Sequence, residues 1–232
     1  MRAMILAAGR GERMRPLTDT TPKPLLKVGG KPLIVWHIEK LVDAGVTNIV
    51  INHAWLGQKI EQALGNGSQF GANISYSPEA PPLETAGGIA QALPFFQDQP
   101  FLVINGDIWC DWNVHDAIQQ ATAVQARGLL AWLLLADNPE HHPKGDFTLG
   151  ADNLVCDQPQ SLTTTSLTFT GVGIYQPSLF QNLKRGQPAP LAPLLRQAMH
   201  LGLVSGQHHI GRWTDVGTPS RLQQLNQDLN TP

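Results

Sequence analysis

The residues whose types and spacing could do chemistry are concentrated near the start of this chain. A short apolar run at residues 4–8 ends at Gly9, and Gly11 follows two residues later. Glycines at such a turn allow positive φ and bring backbone N–H groups close to a ligand, where successive N–H groups form a concave anion site. Three arginines between positions 10 and 15 add positive charge. The segment therefore indicates binding of a polyanion such as a nucleoside triphosphate.

Two named phosphate-binding patterns fit this segment poorly. The dinucleotide fingerprint needs a third glycine at the position that Met14 occupies, and the P-loop needs a Gly-Lys-Ser/Thr triplet that does not follow. An ordinary strand followed by a glycine-rich turn is the alternative. Against that alternative stands Lys23, which lies between Pro22 and Pro24. Because prolines restrict the backbone on both sides, this lysine is expected to be directed at a ligand.

A candidate metal-ligating carboxylate follows an apolar segment in the middle of the chain. Residues 101–104 form a near-continuous apolar run, typical of a central strand covered on both faces, and Asp107 comes soon after. Open α/β sheets bind ligands beyond the carboxyl ends of their strands, and Mg²⁺ prefers oxygen ligands. An Asp after a strand is also common as a helix cap or turn residue. The local sequence leaves both interpretations open.

The elements that must position these residues alternate in type. Apolar periodicity and turn residues predict β-α-β-α-β at the start, a pattern typical of a parallel sheet with helices on its faces. The predicted strands cover 4–8, 46–52, 73–77, 101–104, 129–136, 147–149, 154–157, 169–175 and 202–210. The predicted helices cover 33–42, 56–64, 85–93, 114–126, 177–183, 192–201 and 220–229. His37, on the first helix, is expected to be a core residue rather than a ligand.

Composition excludes several classes of function. A chain of 232 residues can bury one sizeable core, and its 42% hydrophobic and 15% charged residues are ordinary for a globular protein. A net charge of −2 argues against a general nucleic-acid binder. The two cysteines, Cys110 and Cys156, are too few for a disulfide framework or a cysteine-based metal site. No apolar run approaches a membrane span, so we expect a soluble, cytoplasmic protein with no membrane or nucleic-acid partner.

The opening motif resembles the signature of a known enzyme family. Leu-Ala-Ala-Gly-x-Gly-x-Arg-Met-x-Pro-Leu-Thr, starting at Leu6 and followed by Pro22-Lys23-Pro24-Leu25-Leu26, resembles that of the sugar-1-phosphate nucleotidylyltransferases. The resemblance implies an α/β, three-layer, Rossmann-like fold with a mainly parallel central sheet and a small β-rich sugar-binding lobe. It implies one domain over 1–232, with a nucleotide-binding half at about 1–110 and a sugar-binding part at about 111–232.

The resemblance also implies a nucleotide site and two catalytic residues, Arg13 and Lys23. The implied nucleotide-binding residues are Ala8, Gly9, Gly11, Glu12, Arg13, Lys23, Glu79, Ala86 and Gly87. The last two belong to a segment that matches the family's base-binding Leu-Gly-Thr-Ala-Gly, although Glu84 stands where glycine is usual. Without the resemblance, a proline-rich turn into a helix explains this segment equally well.

A second carboxylate motif completes the implied metal site. Residues 213–219 read Trp-Thr-Asp-Val-Gly-Thr-Pro and match the family's Trp-x-Asp-x-Gly-Thr-Pro. The resemblance implies that Asp215 and Asp107 together bind Mg²⁺ as the cofactor. Because the two residues are far apart in sequence, only the fold can bring them together.

The implied sugar-binding residues are less closely specified. They are Asn105, Glu140, Gly145, Asp146 and Gly171. The family often carries a second lysine in Glu-Lys-Pro, but Cys-Asp-Gln-Pro at 156–159 contains none, and that role stays unassigned, with Lys144 a weak substitute. The adjacent His141 and His142 lack a third ligand at a useful spacing for zinc. The Thr- and Ser-rich stretch at 161–170 has no functional interpretation.

The implied reaction joins a nucleoside triphosphate and a sugar 1-phosphate and releases pyrophosphate. Within the family, this short chain most resembles the uridylyltransferases of bacterial cell-wall recycling, which use UTP and N-acetylmuramate 1-phosphate. Muramate carries a lactyl carboxylate, so a cation should face that group. The alternatives are a mannose- or glucose-1-phosphate nucleotidylyltransferase and, in another class, a non-catalytic subunit that senses nucleotide sugars. The lack of hexapeptide repeats or a tail mildly favours a monomer.

Overall fold

A mixed β-sheet with helices on both faces forms the centre of the structure, a computed structural model that describes residues 1–157 and 166–230. The Gln158 and Pro159 of the expected lysine motif and residues 161–165 of the Thr- and Ser-rich stretch lie outside the described residues. The strands are β1 (Arg2–Ala7), β2 (Lys27–Val28), β3 (Lys31–Pro32), β4 (Asn48–His53), β5 (Asn73–Pro78), β6 (Phe101–Asn105), β7 (Ile108–Cys110), β8 (Ala131–Ala136), β9 (Phe147–Leu149), β10 (Val155–Cys156), β11 (Ser166–Tyr175), β12 (Val204–His209) and β13 (Trp213–Asp215). The helices are α1 (Leu17–Thr20), α2 (Leu33–Asp43), α3 (Gly57–Leu64), α4 (Glu84–Ala92), α5 (Asp116–Ala126), α6 (Leu191–His200) and α7 (Pro219–Asn230).

The strand order explains how the two parts of the chain share one sheet. Strands β5, β4, β1 and β6 are parallel neighbours. Strand β11 then pairs antiparallel with both β6 and β8, and β12 pairs parallel with β8. Two antiparallel steps restore the direction, so β8 and β12 run the same way as β1. The predicted mainly parallel central sheet is confirmed, and β9 and β10 extend β11 into the expected small β-rich region.

Two apolar clusters cover the two faces of the sheet and give three layers. One cluster packs residues of α2, α3 and α5 against the sheet, and the other packs residues of α4 and α6 against the opposite face. A smaller cluster holds α7 against β7 and the β2–β3 hairpin through Val28, Trp109 and Leu225. Burial of these apolar side chains is the main stabilising contribution to folding. His37 is buried in the first layer, as expected for a core residue.

Some predicted elements differ from the observed ones. The predicted helix at 177–183 is only a short 3-10 turn, Pro177–Phe180. The β7–β13 pair was not predicted, because each strand has three residues and its partner is about a hundred positions away in sequence. Such short strands carry little periodicity. In the part of the chain that is described, no helix is long and apolar enough to cross a bilayer.

Candidate active site

The carboxyl ends of the parallel strands meet at one edge of the sheet and enclose a cavity of about 300 Å³. Strands β1, β4, β5 and β6 all end there, since parallel strands place their carboxyl ends at the same edge. The residues that line this cavity are Leu6, Ala7, Ala8, Gly9, Lys23, Pro24, Asn52, Glu79, Pro82, Glu84, Thr85, Asn105 and Asp107. Six predicted site residues are therefore brought together here: Ala8, Gly9, Lys23, Glu79, Asn105 and Asp107.

The opening loop is folded tightly against the lysine segment. Gly11 has φ +66°, and its carbonyl accepts a hydrogen bond of 2.7 Å from the Thr18 hydroxyl. A Cβ at position 11 would lie 2.9 Å from the Thr18 methyl group and 3.3 Å from Cβ of Lys23. Glycine is therefore required by packing as well as by backbone conformation. Glu12 and Arg13 follow on a short 3-10 turn with exposed side chains, and neither lines the cavity.

Lys23, between its two prolines, is directed at Asp107. Its Nζ donates a 2.6 Å hydrogen bond to Asp107 Oδ2. The lysine side chain is 9% exposed, whereas the Asp107 side chain is 42% exposed and faces the cavity. The pair therefore places a desolvated positive charge and an accessible carboxylate at one wall of the cavity.

Asp215 lies beside Asp107 on the β7–β13 ribbon. Asp215 pairs with Ile108 in the strand register, and the amide of Val216 donates to the carbonyl of Asp107 at 2.8 Å. The Asp215 carboxylate is held through Oδ1 by Arg221 and lies 3.0 Å from Nε2 of His141. The two acidic residues, distant in sequence, are thus neighbours across a two-stranded ribbon.

The donor atoms at this ribbon fit a hard divalent cation. Asp107 is bonded through Oδ2 and Asp215 through Oδ1, and the other carboxylate oxygen of each has no hydrogen-bond partner among the described residues. Mg²⁺ is bound by one or two carboxylates together with water and substrate phosphates. Asp107 and Asp215 each offer one such oxygen, which is the type of ligand that Mg²⁺ takes.

A buried network fixes the strand ends that form the base of the cavity. The Ala7 amide donates to Asn52 Oδ1 at 2.9 Å, and Asn52 Nδ2 donates to Glu79 Oε1 at 2.7 Å. The second Glu79 oxygen accepts from the Leu83 amide at 2.7 Å. Both Glu79 oxygens are therefore engaged within the protein, although the side chain lines the cavity. The arrangement indicates that Glu79 holds the loop at 79–83 in place.

Two residues of the motif that was expected to bind the base, Ala86 and Gly87, pack against the backbone near residue 189. The amides of Ala86 and Gly87 donate to the carbonyl of Ala189, at 2.9 and 3.1 Å, and neither residue lines the cavity. A Cβ at Gly87 would lie 2.5 Å from the carbonyl oxygen of Gln187. The small residues of this motif thus allow α4 to approach the backbone at 187–189. Glu84, in contrast, lines the cavity and has φ +58°.

A second cavity of about 550 Å³ continues from the first, with which it shares Glu84, Thr85 and Asn105. Asp146 lines it, and its two oxygens accept from the Phe169 amide at 2.8 Å and contact His142 Nε2 at 3.0 Å. The other residues that line it are Phe147, Phe169, Pro190, Leu191, Ala192, Leu195 and Arg196.

The remaining predicted sugar-site residues lie outside both cavity walls. A Cβ at Gly171 would lie 2.5 Å from the Asn105 amide nitrogen, so this glycine makes room for Asn105 behind the wall. Gly145 has φ +62° and packs against Asn138 and Ser166. Glu140 is exposed and lines neither cavity. Of the five predicted residues, the structure therefore places Asn105 and Asp146 in contact with the second cavity.

Burial favours the neutral forms of two side chains behind the cavity, those of His37 and Cys110. Burial lowers the pKa of His37 to about 4, and burial raises the pKa of the Cys110 thiol to about 11. Among the described residues, Cys110, Asp111 and His209 have potential ligand atoms within 4.8 Å of one another. Because metals bind the thiolate rather than the thiol, the raised pKa of Cys110 disfavours a metal there.

The chain matches one protein family over nearly its whole length. A family model described as nucleotidyl transferase matches residues 2–231. The chain belongs to the nucleotidyl transferase family.

Curated nucleotidyl transferases include relatives that match almost the whole chain. It is 58% identical over 225 residues to the N-acetylmuramate alpha-1-phosphate uridylyltransferase of Neisseria meningitidis serogroup B, covering 97% of this chain and 96% of that one. It is 35% identical to the protein of the same name from Caulobacter vibrioides, covering 94% and 92%. It is 28% identical to mannose-1-phosphate guanylyltransferase catalytic subunit beta of Danio rerio, of which it covers 62%.

Solved structures of low sequence identity share the fold. HddC from Yersinia pseudotuberculosis, complexed with GMP-PN, superimposes with a TM-score of 0.77 at 19% identity, over 99% of both chains. A Bacillus anthracis protein regarded as a glucose-1-phosphate thymidylyltransferase, in complex with a sucrose, gives 0.84 at 23% identity, over 100% of this chain and 96% of that one. At these identities the likeness concerns the fold.

Several residues at this nucleotidyl transferase site were not found by sequence reasoning. Asn52 is the last residue but one of β4 and lines the first cavity, and the strand-end rule could have identified it. Arg221 lies on α7, six residues after Asp215, and no local pattern distinguishes it from a surface arginine. Arg196 lies on an amphipathic helix and is likewise unremarkable in sequence. His141, dismissed as a zinc ligand, contacts Asp215 instead.

Proposed function

We propose that this nucleotidyl transferase converts UTP and N-acetylmuramate 1-phosphate into UDP-N-acetylmuramate and pyrophosphate, a reaction of bacterial cell-wall recycling. The observation that carries the proposal is the pairing of Lys23 with Asp107 beside the glycine loop, in a chain 58% identical to an enzyme named for this reaction. The first cavity receives the nucleotide, and the second receives the sugar.

The chemistry requires little beyond positioning and charge neutralisation. A sugar-phosphate oxygen attacks the α-phosphorus of UTP, the bond from that phosphorus to the bridging β-oxygen breaks, and pyrophosphate leaves with the electron pair. The nucleophile is already an anion, so no general base is needed. The barrier lies in holding two polyanions in line and stabilising the charge that develops on the transferred group.

The residues of this chain divide these tasks. Lys23, desolvated and fixed by its flanking prolines, stabilises charge at the α-phosphate. Arg13 and the loop amides around Gly9 hold the triphosphate, and for Arg13 this requires its exposed side chain to turn toward the ligand. Asp107 and Asp215 would hold Mg²⁺, which would supply positive charge that offsets the phosphate charge when bound.

The test measures pyrophosphate release with Mg²⁺ across four nucleoside triphosphates and four sugar 1-phosphates: N-acetylmuramate, N-acetylglucosamine, glucose and mannose. We expect UTP with the muramate derivative to give the highest kcat/KM. Equal activity with N-acetylglucosamine 1-phosphate, or preference for GTP with mannose 1-phosphate, would contradict the substrate assignment. A protein that binds UDP-sugars without turnover would support the sensing subunit instead.

A further inference from the structure

The second cavity has one cation among its described lining residues, and that cation is Arg196. It projects from the second half of α6, and the lining around it is mostly apolar, with Asp146 and Glu84 as the acidic members. Asp146 is already engaged by His142 and by the Phe169 amide. Arg196 therefore provides the charge that an anionic substituent in this cavity would meet.

Arg196 is oriented by a single ion pair. Its Nε donates to Asp157 Oδ1 at 2.7 Å, and the Asp157 side chain is 17% exposed while that of Arg196 is 49% exposed. No other hydrogen bond of the Arg196 guanidinium involves the described residues. A contact through Nε leaves the two Nη groups without a partner among the described residues, and these two groups form an edge that can bind a carboxylate in a bidentate manner.

Two other cations of the site are committed to carboxylates of the protein. Lys23 is bonded to Asp107, and Arg221 is bonded to Asp215, both at the ribbon where the phosphates must react. Neither lines the second cavity. A carboxylate carried by the sugar would lose its hydration in this cavity and needs a charged partner there. Arg196 is the side chain placed to supply that partner.

We propose that Arg196 binds the lactyl carboxylate of N-acetylmuramate 1-phosphate and thereby distinguishes this substrate from N-acetylglucosamine 1-phosphate, which lacks the lactyl ether. The inference rests on the proposed function, since it assigns a specificity residue to the same reaction. Arg196 acts on substrate binding and orientation in the second cavity, whose described lining does not include Asp107 or Asp215.

The test compares kcat/KM for the two sugar phosphates in the wild-type enzyme and in Arg196→Gln. Hydrogen bonds to charged groups imply a loss of about 10- to 100-fold for the muramate substrate. The activity on N-acetylglucosamine 1-phosphate should stay within about twofold, because that sugar has no carboxylate to bind. Arg196→Lys should recover part of the preference, since it keeps the charge but loses the bidentate geometry.

Asp157→Asn is the matched control, because it removes the ion pair and keeps the cation. This variant should retain the preference for the muramate substrate. Equal losses on both substrates in Arg196→Gln, or loss of preference in Asp157→Asn to the same extent, would show that the pair is only structural and would overturn the assignment. If thermal melting shows that Arg196→Gln is poorly folded, Arg196→Lys is used instead. Calorimetry then measures its affinities for UDP-N-acetylmuramate and UDP-N-acetylglucosamine. The ratio of the first affinity to the second must be lower than in the wild type.

Failure of the proposed function gives a different result. A wild-type enzyme without activity on N-acetylmuramate 1-phosphate refutes the function and the inference together. A wild-type enzyme that prefers the muramate substrate, with equal losses in Arg196→Gln, refutes the inference alone.

Discussion

Replacing Lys23 by methionine tests the central feature of the site. Methionine keeps the length and the buried packing of the side chain but removes the charge that lies 2.6 Å from Asp107. Removing one donor that stabilises developing charge lowers kcat by about 10²- to 10³-fold, equivalent to about 2.7–4 kcal/mol. The KM for UTP should change much less, because the loop amides and Arg13 still hold the triphosphate.

The effect on folding can be bounded from the same contact. The lysine side chain is 9% exposed, but the Asp107 side chain is 42% exposed and can be hydrated when its partner is lost. The pair thus lies between an exposed ion pair and a fully buried one, and its loss should destabilise the protein by about 1–2 kcal/mol. For a chain of this size, that corresponds to a decrease in Tm of about 2–8 °C.

The assay is pyrophosphate release at saturating UTP and sugar phosphate, well below the Tm of the variant. Lys27→Met, at an exposed lysine on β2, is the control for the loss of one positive charge. A Lys23→Met enzyme whose kcat is within about threefold of the wild-type value would refute the catalytic role of the lysine. A large increase in KM for UTP with unchanged kcat would assign it to ground-state binding instead.

Three further outcomes are expected. Chelation with EDTA should abolish pyrophosphate release, and added Mg²⁺ should restore it. Asp215→Asn should raise the Mg²⁺ concentration that gives half-maximal activity by about tenfold or more. Full activity in EDTA would exclude the metal role. Because burial lowers the pKa of His37 from 6.5 to about 4, the unfolded chain binds a proton that the folded one excludes between those values, so stability should fall by about 2 kcal/mol between pH 7 and pH 5. Urea melts should show this slope in the wild type and a flatter one in His37→Gln, and equal slopes would contradict the burial argument. Glu84→Gly should be more stable than Glu84→Ala by about 1 kcal/mol, because both lose the carboxylate but only alanine carries a Cβ at φ +58°; equal Tm values would show that the backbone there is unstrained.

The sequence was sufficient for the parts of this fold that rest on continuous apolar runs. The run at 101–104 predicted the central strand β6, and the structure confirms it as Phe101–Asn105, buried except at its end. Asp107, which follows this run, lines the cavity at the carboxyl ends of the parallel strands. In these cases a continuous apolar run indicates a strand that is covered on both faces. The run therefore predicts where the strand lies and where the residue after it lies.

Features that depend on contacts between distant segments were not accessible in the same way. The motif at 83–87 was interpreted as a base-binding loop, but the packing of Gly87 against Gln187 depends on where the segment at 187–189 passes. The interaction of Arg221 with Asp215 depends on the angle between α7 and β13. Sequence spacing does not encode either geometry. The departure at Glu84 was visible in the sequence, whereas its positive φ was not.

The β7–β13 ribbon has a consequence for how the enzyme can move. Its two acidic residues are tied to one another by main-chain hydrogen bonds, such as the one from Val216 to Asp107, rather than by side chains from opposite sides of the cleft. The main-chain spacing of Asp107 and Asp215 is therefore set by the ribbon itself. A movement of the surrounding cavity walls would therefore leave the main chain of these two residues at the same separation.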